Sequence, residues 1–485
     1  MATLQGIATM LKTGSATLAA LMLALGACAT SSGTDPTQVT AAPSGPAVTV
    51  TRDGDVWTAD YVLDREAPVW AFFRSSLISG SRKPWRLEQW RVLTPGVVLE
   101  RIGDRDVLRA ADGRSVPRNV RIAFTPRTEN LEADYSALVF TDGSVALPSA
   151  QFDVFPVASP AAVAEVPQDL NGHPLETGPA MVTWRDRGGP ILFRGRRVVE
   201  ATETAADTYI LFGQADLVEG ARLTTVADPQ LPGWIGGAIE DFAPRVADYY
   251  VQRLGPGQTE RPTIMMSWSG PTSGRTSMGG SVMPGLVVMA FEGEGVVEPS
   301  GEVLGMARWF IGHESAHFWL GQTVRYERAR DAWITEGGAD LMAIRALKTI
   351  DPTWDDRGEL QKEVDDCVRL AGQPVAEAAG RGENRAVYAC GAVFALAAEA
   401  TQKRATGGDW FDFLQPLIAA NRADGVLTDD EWLSALDQIS GDPALRRDIE
   451  ILLDEGADDP ADRIAALLAR AGVTHRREGS RVVLL

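Results

Sequence analysis

The rhythm of apolar and polar positions changes partway along the chain. From about residue 47 to 225 the apolar residues come in short alternating runs. Examples are Ala47-Val-Thr-Val-Thr51, Val107-Leu-Arg-Ala110, Val120-Arg-Ile-Ala-Phe124 and Pro190-Ile-Leu-Phe-Arg194. Alternation with period two predicts strands that bury one face. The turn pairs Asp53-Gly54, Asp112-Gly113, Asp142-Gly143 and Asn171-Gly172 punctuate these runs. Strands and turns at that spacing predict an all-β domain of sandwich-like build. Pro and Gly then cluster near 228–237, and the texture shifts. Ile239 to Leu254 reads as a helix with Ile239, Phe242, Val246 and Tyr249/Tyr250 on one side. Thr263–Trp268 and Leu286–Phe291 read as strands, and almost everything beyond 302 reads as helix. Thr428-Asp-Asp-Glu431 is a capping box opening one of those helices. The second half therefore has an α+β texture that is mostly helical.

The N-terminal residues do not fit either pattern. Residues 1–27 carry a single charge, Lys12, and an apolar run extends from Ala16 to Ala27. That run is too short for a membrane-spanning helix and has the form of a secretory signal. Leu25-Gly26-Ala27-Cys28 resembles the bacterial lipoprotein box, which implies cleavage before Cys28 and lipidation of its thiol. Ala29 after the cysteine, where an Asp is absent, resembles the default outer-membrane sorting signal. Residues 28–46, rich in Ser, Thr, Pro, Gly and Ala, form a flexible tether. The expected order is signal 1–27, lipidated tether 28–46, β domain 47–227 and second domain 228–485. The expected place is the bacterial envelope, facing the periplasm, with the membrane reached through the lipid alone.

Composition narrows the field of functions. The 485 residues include 46 Lys plus Arg against 65 Asp plus Glu, for a formal charge of −19. With 45% apolar and 23% charged residues the chain is an ordinary globular one, neither disordered nor polytopic. The acid excess argues against nucleic acid as a partner. Of the three cysteines, Cys28 is committed to lipid, leaving Cys367 and Cys390 in helical stretches, either as a disulfide or as two buried thiols.

Only four histidines occur, and two are four residues apart in Phe310-Ile-Gly-His-Glu-Ser-Ala-His-Phe-Trp-Leu320. On a helix, His313 and His317 share a face one turn apart. Two imidazoles so placed can bind one Zn²⁺, with Glu314 beside the first to act on a water. Val303, Leu304, Ala307, Phe310 and Ile311 supply the apolar stripe of such a helix. Catalytic zinc takes three protein ligands and a water. Glu336 follows His317 after 18 residues, enough to turn back and present the third ligand from an antiparallel helix. Asp340, one turn on from Glu336, can hold the spare N–H of a zinc histidine.

The pattern H-E-x-x-H-x-W-x-G at 313–321, an 18-residue gap and Glu336-Gly337 resembles the M1 aminopeptidase family of gluzincin metallopeptidases. The resemblance implies a β-saddle domain followed by a thermolysin-like catalytic domain, one zinc, and a peptide substrate. It also implies an oxyanion-stabilising tyrosine in a Y-x-x-G context, which Tyr388-Ala-Cys-Gly391 matches. The family's exopeptidase strand aligns with Gly279-Gly280-Ser281-Val282-Met-Pro-Gly-Leu286, a substrate-binding strand or else an edge strand with a glycine bulge. There the amine-gripping Glu is replaced by Val282, with Glu292 or Glu294 as the nearby carboxylates. Three readings follow: an M1-like aminopeptidase, an endopeptidase, or a non-catalytic peptide-binding lipoprotein of the same build.

Overall fold

The computed structural model describes residues 45–485 apart from 133, 168–169, 171–172, 206–207, 221–222 and 258–261. The signal, Cys28, most of the tether and the Asn171-Gly172 turn lie outside the described residues. The chain forms two compact units. One holds the chain up to Gly233 together with Pro262–Glu298; the other holds Trp234–Arg261 and Pro299–Leu485.

The first unit is built from the alternating segments. A six-stranded sheet runs in the order Glu200–Thr204, Met181–Asp186, Ala47–Asp53, Val56–Val62, Asn119–Phe124 and Trp90–Val92. The hairpin between its third and fourth strands turns at Gly54, whose φ of 59° favours glycine. A four-stranded sheet follows the order Val154–Val157, Val69–Phe72, Arg105–Ala110 and Val97–Ile102. Their inward residues interlock through aromatics. The Tyr61 and Phe72 rings lie 6.4 Å apart and those of Phe72 and Trp90 lie 5.5 Å apart. Such aromatic burial supplies much of a core's apolar area. Two short helices, α1 (Trp85–Gln89) and α2 (Pro160–Val163), decorate the unit.

Two five-stranded sheets complete it. The third follows Arg196–Val198, Ile191–Phe193, Tyr209–Phe212, Val145–Pro148 and Leu138–Val139. The fourth follows Val218–Glu219, Thr224–Ala227, Thr263–Trp268, Leu286–Glu292 and Ser277–Met283. The two share one core, in which Leu138, Tyr209 and Leu211 meet Val226, Met265, Met283 and Val288. The compact division therefore does not follow a single seam near residue 228. The strands at 263–268 and 286–292 extend the sheet begun by Thr224–Ala227. Pairing between distant segments leaves no trace in a one-dimensional hydropathy pattern.

The second unit is helical. It opens with α3 (Gly233–Leu254), whose Ile239, Phe242, Val246 and Tyr250 are buried as their spacing predicts. After the excursion into the sheet come α4 (Gly301–Ala316), α5 (Trp333–Ile350), α6 (Asp356–Leu370) and α7 (Arg385–Thr406). The succession ends with α8 (Trp410–Ala420), α9 (Asp429–Ser440), α10 (Pro443–Asp454) and α11 (Pro460–Ala471). Thr428 and Glu431 form the expected capping box at the start of α9. Helix α5 is buried on nearly every side, as a central core helix must be. No described helix is long and apolar enough to cross a membrane.

Candidate metal centre

The site is assembled by α4 and α5. Helix α4 starts at a capped end, where Ser300 Oγ accepts a hydrogen bond from the Val303 N–H at 3.1 Å. It ends at His317, whose φ of −66° keeps it helical, so His313 and His317 stand one turn apart on one face. Helix α5 runs antiparallel, because His313 faces Asp340 while His317 faces Glu336. Gly312 allows the close approach: a β-carbon there would already lie 3.1 Å from that of Ala343. From α3, the Tyr250 hydroxyl donates to the Gly312 carbonyl at 2.9 Å. The Trp319 indole donates to the Gly255 carbonyl at 3.0 Å. The two bonds tie α4 and the turn after it to the C-terminal end of α3.

Three ligand atoms converge. The two Nε2 atoms lie 3.0 Å apart, and Glu336 Oε2 lies 3.6 Å from that of His313 and 3.4 Å from that of His317. A tetrahedral ion bound at about 2.0–2.1 Å sets neighbouring ligand atoms roughly 3.3–3.4 Å apart. The observed triangle brackets that spacing. Each Nδ1 is engaged elsewhere: that of His313 meets Asp340 Oδ1 at 2.7 Å and that of His317 meets the Leu320 carbonyl at 2.8 Å. A carbonyl only accepts, so His317 Nδ1 carries a proton, and Nε2 is the ring nitrogen that faces Glu336. Glu336 Oε2 is buried with no hydrogen-bond partner. An orphaned carboxylate oxygen beside two convergent imidazole nitrogens fits a metal ion. His313, His317 and Glu336 form a group able to hold one.

Electrostatics point the same way. Burial pushes the His313 ring toward neutrality, but hydrogen bonding and charge from Asp340 outweigh it and raise its pKa well above the ordinary value. Burial likewise opposes the charged form of His317, and Glu336 reverses the balance. Burial would raise Glu336, yet the two histidines pull it down to about 2. The pocket thus favours positive charge at its centre. Glu314, 1% exposed, is pushed up by burial, with the histidines partly offsetting, and its Oε1 is unpartnered.

Tyr388 reaches the same place from α7. Gly337 and Gly391 mark the crossing of α5 and α7, and a β-carbon on Gly337 would fall 2.1 Å from the Gly391 carbonyl carbon. Only two glycines allow backbones that close. One turn before Gly391, Tyr388 stacks on His313 with ring centres 5.9 Å apart. Burial first, then the Glu336 and Glu314 carboxylates, raise its phenol well above the ordinary value, so it stays a proton donor. Its hydroxyl is buried without a hydrogen-bond partner.

No protein-family model and no curated protein sequence matches the chain. Solved structures do match. An aminopeptidase N family protein from Idiomarina loihiensis has a TM-score of 0.58 at 11% identity, covering 89% of this chain and 79% of that one. Native yeast LTA4 hydrolase gives 0.50 at 13% identity, covering 86% and 68%. The chain shares their fold. That fold is a β-rich N-terminal region followed by a helical domain, as the texture of the sequence predicts.

The remaining predicted residues fall into place separately. Gly279, Gly280, Ser281 and Val282 lie on the strand Ser277–Met283, at the edge of the fourth sheet. Gly279, Gly280 and Ser281 line a cleft of about 210 Å³ within the first unit, together with Tyr209, Ser136 and Asn130. Val282 is buried and pairs with Val287. Neither nearby carboxylate is free to replace the missing Glu: Glu292 pairs with Arg275 at 2.9 Å and accepts from Thr272. Glu294 accepts from Ser273 and from the Gly274 N–H. Cys367 and Cys390 are joined by a disulfide, which ties α6 to α7. His173 is exposed, and the His475 ring bonds the Val473 carbonyl.

The sequence reading passed over Arg385. Its guanidinium lies 3.6 Å from Asp340 Oδ2 and bonds Glu363 at 2.7 Å and Asp366 at 2.8 Å. The only sequence signal was its place one turn before Tyr388 on a shared helix face.

Proposed function

We propose that this protein is a zinc-dependent, M1-like peptidase that hydrolyses peptides. We propose further that a lipid on Cys28 anchors it in the bacterial envelope, in the outer membrane and facing the periplasm. The observation that carries the catalytic reading is the convergence of the His313, His317 and Glu336 ligand atoms with Glu314 and the unpartnered Tyr388 hydroxyl in one buried pocket.

Zinc held by His313, His317 and Glu336 would supply Lewis acidity toward the scissile carbonyl and acidify a water. Glu314 takes the proton of the attacking water and passes it to the leaving amine. Its pKa, raised by burial, suits a group that must accept and then release a proton. Tyr388 donates to the oxyanion as it develops. Asp340 orients His313. The free edge at Ser277–Met283 offers backbone groups to an extended peptide.

Val282 and the committed Glu292 and Glu294 favour an endopeptidase over a strict aminopeptidase, because a desolvated ammonium needs a carboxylate partner. The test combines zinc analysis with cleavage of a peptide library bearing free and blocked N-termini. Stoichiometric zinc and cleavage that survives blocking are the expected results. A Glu314→Gln variant should keep its zinc and lose roughly 10²–10⁴-fold in turnover. Full activity in that variant would remove Glu314 from its role. Absence of both zinc and cleavage would leave a peptide-binding lipoprotein.

A further inference from the structure

Asp340 poses a problem that the metal ligands alone do not solve. It is fully buried, and only its Oδ1 makes a hydrogen bond, to His313 Nδ1 at 2.7 Å. Its Oδ2 has no hydrogen-bond partner. An ionised carboxylate in that position needs a counter-charge and a second restraint on its rotation. Arg385 faces it: NH1 lies 3.6 Å from Oδ2 and is itself without a hydrogen bond.

The guanidinium is held on its other edges. Its NH2 donates to Glu363 Oε1 at 2.7 Å and its Nε donates to Asp366 Oδ2 at 2.8 Å, both on α6. The residue after Asp366 is Cys367, bonded to Cys390 on the helix that carries Arg385. A flat, forked cation pinned at two donors has little rotational freedom left for the third. Its position relative to Asp340 is therefore set by α6 and α7, not by the metal ligands.

We propose that Arg385 is a positioning residue for the metal centre, acting through Asp340 on the orientation of His313. This rests on the zinc reading given above. Partners outside the ligands set ring orientation and ligand basicity, and their loss typically lowers metal affinity about 10–100-fold. Arg385 acts one step further out, so its loss should weaken zinc binding about 10-fold, at the lower end of that range. The substrate-binding groups are untouched, so the effect belongs to the metal and not to KM.

The experiment measures zinc affinity of the full chain by competition with a chelating chromophore, alongside thermal melting of the zinc-free protein. The proteins are wild type, Arg385→Met, Arg385→Lys, Asp340→Asn and the Arg385→Met/Asp340→Asn pair. Arg385→Met should bind zinc about 10-fold more weakly, and Arg385→Lys, which restores charge without the fork, should recover part of the loss. In the Asp340→Asn background, Arg385→Met should change zinc affinity less than about twofold, because the two act in series. A purely structural Arg385 would lower the melting temperature and leave zinc affinity unchanged, which overturns the proposal. An undiminished 10-fold penalty in the Asp340→Asn background would also overturn it. Should Arg385→Met fail to fold, the Lys variant carries the test: zinc affinity equal to wild type would sink the idea. Wild-type protein that binds no zinc would defeat the peptidase reading itself, whereas zinc-binding wild type with indifferent Arg385 variants defeats this inference alone.

Discussion

The crossing of α5 and α7 at Gly337 and Gly391 offers a sharp test of how the site is held. In Gly337→Ala the new β-carbon would lie 2.1 Å from the Gly391 carbonyl carbon and 2.3 Å from the Ala392 nitrogen. Non-bonded carbons sit about 3.5 Å apart or more, so the backbones must separate by about 1.4 Å. Both obstacles are main-chain atoms of a buried helix, and no rotamer change relieves them. Overpacking of this kind typically destabilises by 1–3 kcal/mol, against about 1 kcal/mol gained from the better helix propensity of Ala. The displacement also acts on Glu336, the neighbouring residue, and on Tyr388 across the crossing. Misplacing reacting groups by about 1 Å can lower turnover by about 10²-fold. The expected phenotype is therefore a net stability loss of about 0–2 kcal/mol with a disproportionate loss of zinc affinity and peptidase turnover. Gly305→Ala on α4 is the control, since its β-carbon would meet nothing closer than Trp354 Nε1 at 3.8 Å. That variant should be neutral or gain up to about 1 kcal/mol. Chemical denaturation, chelator competition and peptide cleavage measure the three quantities. A Gly337→Ala protein as stable and active as wild type would refute the argument that this close approach positions the site.

The candidate site was legible because metal chemistry imposes local spacing. His313 and His317 must be one turn apart, and Glu336 must come back from a second helix, so both constraints are written along the chain. The crossing glycines are visible beside the motifs they serve, as Glu336-Gly337 and Tyr388-Ala-Cys-Gly391. The β and helical textures were equally plain, since strand alternation and helical stripes are local. What stayed hidden depends on residues brought together from afar. Arg385 meets Asp340, Glu363 and Asp366 only because α5, α6 and α7 pack side by side, and a lone Arg on a helix is unremarkable. The pairing of Cys367 with Cys390 was left open for the same reason. The division of the chain into units turned on strand pairing between Thr224–Ala227 and Thr263–Trp268, across an intervening helix. That Glu292 and Glu294 are already spoken for follows from a loop folding back on them.

Further outcomes follow from the same contacts. Tyr388→Phe removes one oxyanion donor and should lower kcat about 10²–10³-fold while zinc content stays stoichiometric, with loss of zinc counting against the assignment. Replacing both Cys367 and Cys390 by Ala opens a link spanning 23 positions, and should reduce unfolding free energy by about 3 kcal/mol in denaturant titrations. An unchanged midpoint would mean the helices are held without the bond. The last outcome concerns Asp153 in the β unit, which is buried, accepts the Ala180 N–H at 2.8 Å and is pushed up to about 7 by burial. The folded chain then binds this proton more tightly than the unfolded chain, whose Asp titrates near 3.9. Its stabilising contribution is full below that value and is lost as pH rises to about 7, by an amount on the order of a few kcal/mol. Asp153→Asn keeps the carbonyl that accepts the Ala180 N–H but cannot ionise. Denaturant midpoints measured from pH 4 to pH 8 should therefore fall less steeply in the variant, and parallel curves would show that Asp153 ionises freely within the fold.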